Sequence, residues 1–248
     1  MDTSFNYFNL IKKCCTKLDL EVPANFASTT DDEYIKLKDC LNTINRLIVL
    51  SEVDRWSFRD QKTYTTLLTG QSEYSRPDGM ITSIRYEINQ TTGELSTPLI
   101  PEYRWNYLTK SSGRPNRYNV FGEKLLLYPT PSSVENNYRL EIKYATNNCA
   151  TTSAGVLKPN MDLEGDYSLI PTQFSDVLIY GACLDYKAMP DKSRYQHYQQ
   201  QYTKALKLMR SQMKRSKEIT PYNDMSASDS GDDWVQGFFN SWIPPEYR

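Results

Sequence analysis

The spacing of apolar residues predicts two helices at the start of the chain. Intervals of three and four over residues 4–18 give a first helix with one apolar stripe. A second helix begins near Thr30 and runs to about Val53. Its start, Thr30-Asp31-Asp32-Glu33, has the pattern of a capping box with acidic residues in the first turn. The two stripes consist of Phe5, Phe8, Ile11, Cys15 and Leu18, and of Tyr34, Leu37, Leu41, Ile44 and Ile48.

The pattern changes from helical spacing to alternation after Trp56. Residues 63–67 are rich in β-branched and aromatic residues, and side chains alternate along residues 80–89, which predicts two strands. Residues 138–144 alternate apolar with charged positions, so we expect a strand with one buried and one solvated face.

A hairpin is the clearest turn in the middle of the chain. Strands 118–121 and 124–128 flank Gly122-Glu123, and glycine at the first central position suits a type II′ turn. Upstream, Pro101 to Leu108 predicts a short helix that begins at the proline. The polar, glycine-containing stretch 146–168 predicts a long loop.

Helical spacing returns near the C-terminus. A helix begins at Pro171 and ends near Tyr186, and its apolar face contains Gly181 and Ala182, small residues that let another helix approach closely. Pro190 separates it from a last long helix over 192–216. One side of that helix carries Tyr195, Tyr198, Tyr202, Ala205, Met209 and Met213.

Strands clustered between two helical blocks predict an α+β fold rather than alternating βαβ units. We expect residues 1–60 and 170–217 to form one discontinuous helical bundle. Residues 61–169 would be an inserted, mainly antiparallel β-rich domain, and 218–248 an extended C-terminal tail with a short aromatic helix.

Composition argues against an enzyme. The 248 residues contain one histidine, His197, which weakens any mechanism that needs a histidine pair or a Ser-His-Asp triad. No glycine loop for phosphate, no metal-ligand spacing and no Cys-x-x-Cys pair occurs, so we predict no catalytic residues, no metal and no cofactor. We expect the five cysteines to be reduced and mostly buried. No apolar run reaches the roughly 20 residues of a membrane helix, so no membrane partner is expected.

The charges are strongly polarised, although the net charge is −1. Residues 187–217 have a net charge of +8 and residues 218–248 a net charge of −5. The basic helix could contact DNA phosphate or an acidic protein, could be a solvated face, or could receive the acidic tail of another subunit. The candidate contacts are Lys192, Arg194, Lys204, Lys207, Arg210, Lys214 and Arg215.

The tail contains an aromatic motif. Trp234, Phe238 and Trp242 follow one another at intervals of four, with Phe239 alongside. Acidic residues before them would cap a short amphipathic helix, and large aromatic anchors on such a helix are typical of docking into a groove. The alternative is that the motif folds back on its own domain. The candidate protein-binding residues are Asp232, Asp233, Trp234, Phe238, Phe239 and Trp242.

Three stretches resemble one known family. They are GRPNRYNVFGEKLLLYPTP from Gly113, YRLEIKYAT from Tyr138 and SLIPTQFSDVLIYGACLDY from Ser168. In this order they resemble the head-to-tail adaptor (tail tubular protein A-like) family of short-tailed bacteriophages.

The resemblance implies a structural virion protein. Such adaptors form a ring, a dodecamer, below the portal protein, extend the DNA channel and contact the next tail component. It implies a place at the portal–tail junction after assembly in the host cytoplasm, with the C-terminal extension reaching the portal or neighbouring subunits. The alternatives are another ring of the tail barrel, or a DNA-binding packaging accessory that acts through residues 192–217.

Overall fold

A computed structural model describes residues 5–51, 56–89, 94–186 and 192–213. The described residues form two compact units, one of residues up to Phe58 and from Cys149 onward, the other Arg59–Asn148. The helices are α1 Tyr7–Leu18, α2 Asp32–Val49, α3 Ser175–Asp185 and α4 Lys192–Met213. The strands are β1 Asp60–Thr66, β2 Glu73–Ser75, β3 Gly79–Asn89, β4 Glu94–Leu95, β5 Ile100–Pro101, β6 Arg117–Phe121, β7 Lys124–Tyr128, β8 Arg139–Thr146, β9 Ala150–Thr151, β10 Leu157–Lys158 and β11 Tyr167–Ser168. The predicted α+β class is confirmed.

Helix α3 lies at the centre of the helical unit, where it packs against α1, α2 and α4. It is apolar on nearly all sides, and a helix of that kind is stable only when neighbours cover it all round. Its small residue Gly181 faces Ile44 of α2 and Tyr202 of α4, as the predicted close approach requires. The buried residues of α3 are Ser175, Val177, Leu178, Ile179, Gly181, Ala182, Cys183 and Leu184.

The predicted capping box at the start of α2 is wrong. The helix begins at Asp32, two residues later than expected, and the N-cap residue Asp31 makes no side-chain hydrogen bond to the cap. Asp32 and Glu33 still place negative charge in the first turn, where the helix dipole favours it. Capping boxes occur instead on two short 3-10 helices, after Asn25 and after Ser132.

The β-rich unit consists of two four-stranded sheets, in the orders β1-β8-β3-β4 and β2-β7-β6-β5. All pairs are antiparallel except β5 with β6. The predicted hairpin is present: Phe121 pairs with Lys124, and Gly122 has the positive φ of +57° that its turn needs. One shared core joins the sheets, and its buried residues are Leu67, Tyr74, Ile84, Tyr86, Leu99, Leu125, Leu127, Leu140 and Ile142.

Two expectations for this unit are wrong. The predicted helix 101–108 is absent: Pro101 pairs in β5, and only Trp105–Tyr107 form a short 3-10 helix. The charged face of β8 is not fully solvated either, because Glu141 is buried. Strand β8 is flanked on both sides, and Glu141 lies between Tyr64 of β1 and Arg85 of β3.

The stretch predicted as a long loop, 146–168, contains three short strands and belongs from Cys149 onward to the helical unit. The sequence placed the end of the β-rich domain at residue 169. Two asparagines of α2 attach this stretch to the bundle. Asn45 donates to the Cys149 carbonyl at 3.0 Å, and Asn42 donates to the Met161 carbonyl at 3.0 Å. These side-chain hydrogen bonds hold the stretch in place, although its sequence lacks the alternation that predicts a strand.

Asp166 organises the end of this stretch. Its carboxylate accepts hydrogen bonds from Lys158 Nζ at 2.6 Å and from the backbone amides of Asp162 and Leu163 at 2.8 Å. Burial opposes the charge, but these donors outweigh it and lower the pKa of Asp166 below its ordinary value. The Asp166 carbonyl also accepts from Tyr7, which ties the turn to the start of α1.

Asp166→Asn is expected to lower the free energy of unfolding by about 2 kcal/mol at neutral pH, since it removes charge-assisted hydrogen bonds. The folded-state pKa is below the unfolded one, so this contribution is present above about pH 4 and is lost as the pH falls further. Urea unfolding of both proteins across this range should show the difference shrinking in acid. A difference in unfolding free energy that does not change with pH would contradict the role assigned to the Asp166 carboxylate.

Asp162→Asn is the matched control. The Asp162 side chain also faces Lys158, at 3.3 Å, but it is mostly exposed. An exposed ion pair contributes less than about 1 kcal/mol, so this variant should unfold close to the wild type.

Candidate functional site

Helix α4 is amphipathic in the way the sequence predicts. Tyr198, Tyr202 and Met209 are buried, and Leu206 joins them on the same side. Tyr195, Ala205 and Met213 are partly buried and pack against the same core. The helix therefore has one face in the bundle and one face available to another molecule.

The exposed face of α4 carries two of the predicted basic contacts, Lys204 and Lys207. Leu208 beside them is 51% exposed, and Arg210 is half-buried. His197 is exposed on the same helix. This face can attract an anionic partner through its lysines, with a small apolar contact at Leu208.

Arg194 has a different place. Its guanidinium donates to Asp19 Oδ2 and to the Lys17 carbonyl, both at 2.5 Å, and its Nε donates to the Tyr198 hydroxyl at 3.3 Å. These bonds attach the start of α4 to the end of α1. Within the subunit Arg194 is thus a structural residue, already engaged by partners of its own.

The remaining predicted contacts lie outside what the structure describes. This holds for the side chain of Lys192, and for the residues Lys214, Arg215, Asp232, Asp233, Trp234, Phe238, Phe239 and Trp242. Their predicted roles stay predictions.

A second surface, in the β-rich unit, was not found from the sequence. It is the segment 102–116 between β5 and β6, here called the tyrosine loop. Two of its tyrosines, Tyr103 and Tyr107, are 87% and 85% exposed, the highest values among the large hydrophobic side chains described. Exposed tyrosine offers a broad apolar ring with a polar tip, a composition enriched at protein interfaces.

The tyrosine loop is held at both ends by its own unit. Glu102 donates its backbone amide to the Tyr118 carbonyl at 2.8 Å, and its carboxylate pairs with Arg117 Nη1 at 2.7 Å. A hydrogen bond from the Arg104 amide to that carboxylate, together with the nearby arginines, lowers the pKa of Glu102. The Tyr86 hydroxyl donates to the Pro115 carbonyl at 2.8 Å at the other end.

The middle of the loop is also fixed. The Trp105 ring meets Tyr128 edge-on at 6.2 Å between centroids, and Gly113 donates to the Thr130 carbonyl at 2.9 Å. The two exposed tyrosines are therefore presented from a loop that is attached at several points to the strands of its own unit. Ordering such a surface in advance reduces the entropy lost on binding.

The tyrosine loop is also basic. Residues 102–116 contain three basic residues and one acid, a net charge of +2. Arg104, Lys110 and Arg114 are exposed. Tyrosine and arginine together are the residues most often found as energetic anchors of interfaces.

The cysteines are unsuited to nucleophilic chemistry. Four of the five side chains are buried, and Cys40 is half-buried. Burial raises the pKa of Cys15 to about 11 and, together with nearby Asp185, that of Cys40 to about 12. Both thiols are therefore protonated at neutral pH, whereas the thiolate is the reactive form.

In residues 5–51, 56–89, 94–186 and 192–213, no group of three or more His, Cys, Asp or Glu side chains could hold a metal ion. None of the helices in the described part of the chain is long and apolar enough to cross a bilayer.

The sequence profile of one family, the SU10 adaptor protein, matches residues 6–224. The chain belongs to the SU10 adaptor protein family. This is a family of phage adaptor proteins, structural and non-catalytic, whose members connect components of the virion. A location in the virion follows from membership. No curated protein matches the chain.

Membership in the SU10 adaptor protein family confirms the more general prediction from the sequence, that the chain is a bacteriophage adaptor. The narrower tail tubular protein A-like assignment stays a prediction. The match covers both units and both surfaces, the exposed face of α4 and the tyrosine loop. It ends at residue 224, so the aromatic motif from Asp232 to Trp242 lies beyond it.

Sequence reasoning missed the tyrosine loop because the stretch was assigned to a helix. Two features could have identified it: the run of Tyr, Trp and Arg from Tyr103 to Tyr107, and the excess of basic residues up to Arg117. Their exposure depends on contacts with Tyr86, Tyr128 and Thr130, which are not local in the chain.

Proposed function

We propose that this adaptor assembles as a dodecameric ring beneath the portal protein, extends the DNA channel and connects the portal to the next tail component. The observation that carries the proposal is the family match over residues 6–224. The order of the three resembling stretches, from Gly113 to Tyr186, supports the head-to-tail position within that family.

A ring needs two different, complementary patches on each subunit, because its contacts are heterologous. The chain has segments of opposite charge that suit this requirement. Residues 187–217 are basic, with Lys204 and Lys207 exposed on α4, and residues 218–248 are acidic. Opposite charges across an interface speed encounter and select its register, and high salt weakens them.

The tail is the proposed attachment of the ring. Trp234, Phe238 and Trp242 are large aromatic anchors, and burying such side chains supplies most of the energy of many interfaces. Asp232 and Asp233 add negative charge at the start of the motif. The portal or a neighbouring subunit is the proposed partner.

The test is co-migration of the purified adaptor with the portal ring of the same phage in a density gradient. We expect the full chain to co-migrate, and the Trp234→Ala/Phe238→Ala/Trp242→Ala variant to lose about a hundredfold or more in affinity, since each anchor contributes roughly 1–2 kcal/mol. Phe121→Ala, an exposed aromatic in the β6–β7 turn, is the control. Full-length protein that fails to co-migrate would contradict the portal role.

A second candidate, a DNA-binding packaging accessory, rests on the exposed lysines of α4. Contacts with phosphate make affinity fall steeply with salt. Lys204→Glu/Lys207→Glu should then weaken binding to duplex DNA and flatten its salt dependence. Wild-type protein that binds no DNA at low salt would remove this candidate.

A further inference from the structure

The tyrosine loop is a preorganised surface for which the proposed function gives no binding partner. Its two tyrosines are almost fully exposed, although the loop around them is fixed by Trp105, Gly113 and Glu102. A fixed loop that keeps large rings in water is more typical of a binding surface than of a connection between strands.

The charge of the loop indicates the kind of partner. Residues 102–116 have a net charge of +2, and the acidic tail 218–248 has −5. The tail also carries the aromatic side chains that exposed tyrosines pack against well. Both halves of an interface, an acidic aromatic segment and a basic tyrosine surface, are thus present in one chain.

We infer that the tyrosine loop of one subunit is the docking site for the acidic aromatic tail, residues 218–248, of another copy. The inference rests on the proposed ring, which would place copies of the chain side by side. About 20 residues separate Met213, the last described residue, from Trp234, and an extended chain of that length reaches up to roughly 70 Å. A neighbouring subunit is within that distance for a protein of 28.8 kDa.

Other surfaces suit the tail less well. The exposed face of α4 offers Lys204, Lys207 and Leu208, but no tyrosine or tryptophan is exposed on it. Phe121 is 76% exposed, but its neighbours in the turn, Glu123 and Lys124, cancel in charge. Among the described surfaces, the tyrosine loop combines exposed aromatic rings with excess positive charge.

The test is photo-cross-linking in the full-length chain. A photoreactive phenylalanine analogue, p-benzoylphenylalanine, replaces Phe239, and this protein is mixed with an isotopically heavy copy that lacks the analogue. We expect heavy–light cross-links from position 239 to residues 102–116. Tyr103→Ala/Tyr107→Ala in the heavy copy should reduce their yield about tenfold, as the loss of two interface anchors would.

Phe121→Ala in the heavy copy is the matched control and should leave the yield unchanged. Cross-links to α4, cross-links within one chain only, or no cross-link to the loop would each overturn the inference. Portal co-migration is measured on the same samples. If cross-linking fails while the protein still co-migrates with the portal, only the proposed docking site is wrong. If heavy–light cross-links form without co-migration, the portal role is wrong and the contact between copies is supported.

Discussion

Replacing Gly181 with valine is expected to destabilise the helical unit by about 3 kcal/mol, the cost of overpacking a closed core. Even a single Cβ at Gly181 would lie 2.6 Å from Ile44 Cγ2 and 3.0 Å from Tyr202 Cε2. Both neighbours are buried, on α2 and α4, so neither can move without disturbing its own packing. Valine adds two further methyl groups to the same gap.

Urea unfolding followed by far-UV circular dichroism measures this effect. Gly181→Ala should fall between wild type and Gly181→Val, because alanine recovers about 1 kcal/mol of helix propensity. Gly165→Ala is the control, since no atom lies within 4 Å of a Cβ there and the change should stay within about 0.5 kcal/mol. A Gly181→Val protein as stable as the wild type would contradict the described helix crossing.

Trp56→Ala is expected to cost about 4 kcal/mol, in the range for removing a large buried aromatic ring. Trp56 is 2% exposed and stacks on Phe58, with ring centroids 5.7 Å apart. Its indole N–H donates to the Ile48 carbonyl at 2.6 Å. This carbonyl is in the last turn of α2, so Trp56 both fills the core and donates a hydrogen bond to the helix end.

Trp56→Phe separates the two contributions. Phenylalanine keeps the stacked ring but cannot donate to Ile48, whose carbonyl retains a 3.3 Å bond from the Ser51 amide. We expect this variant to lose about 1 kcal/mol for the hydrogen bond, plus a smaller packing term. The same urea titration reports both variants. Equal losses for alanine and phenylalanine would mean that the ring contributes nothing, against the packing described.

The elements that the sequence predicts well are those decided by nearby residues. The stripe of α2, the alternation in β3 and the glycine turn between β6 and β7 each depend on residues within one element. For α3 the sequence predicted one apolar face with small residues, whereas the helix is buried on nearly all sides.

What the sequence could not show depends on contacts between distant residues. Asn45 bonds to Cys149 across 104 residues, and Asn42 bonds to Met161 across 119. These hydrogen bonds order the stretch 146–168, which the sequence alone predicts to be a loop. The exposure of the tyrosine loop also depends on contacts between distant residues. The same holds for Arg194, whose partner Asp19 is 175 residues away.

The polarised charges and the tail motif were visible in the sequence, and they still supply the main hypotheses about partners. Two of the predicted basic contacts, Lys204 and Lys207, are exposed as a partner would require. Arg194 shows why residue type alone does not identify a contact: its charge is already used between α1 and α4.

Electron microscopy of the adaptor mixed with the portal ring of the same phage tests the central claim most directly. Each portal ring should carry a second ring of density on its tail-facing end, with the channel continuing through it. The same mixture with a chain ending at Lys217 should lose that ring, because the proposed anchor is gone. Portal rings without any added density, at protein concentrations in excess of the portal, would contradict the adaptor position proposed for this chain.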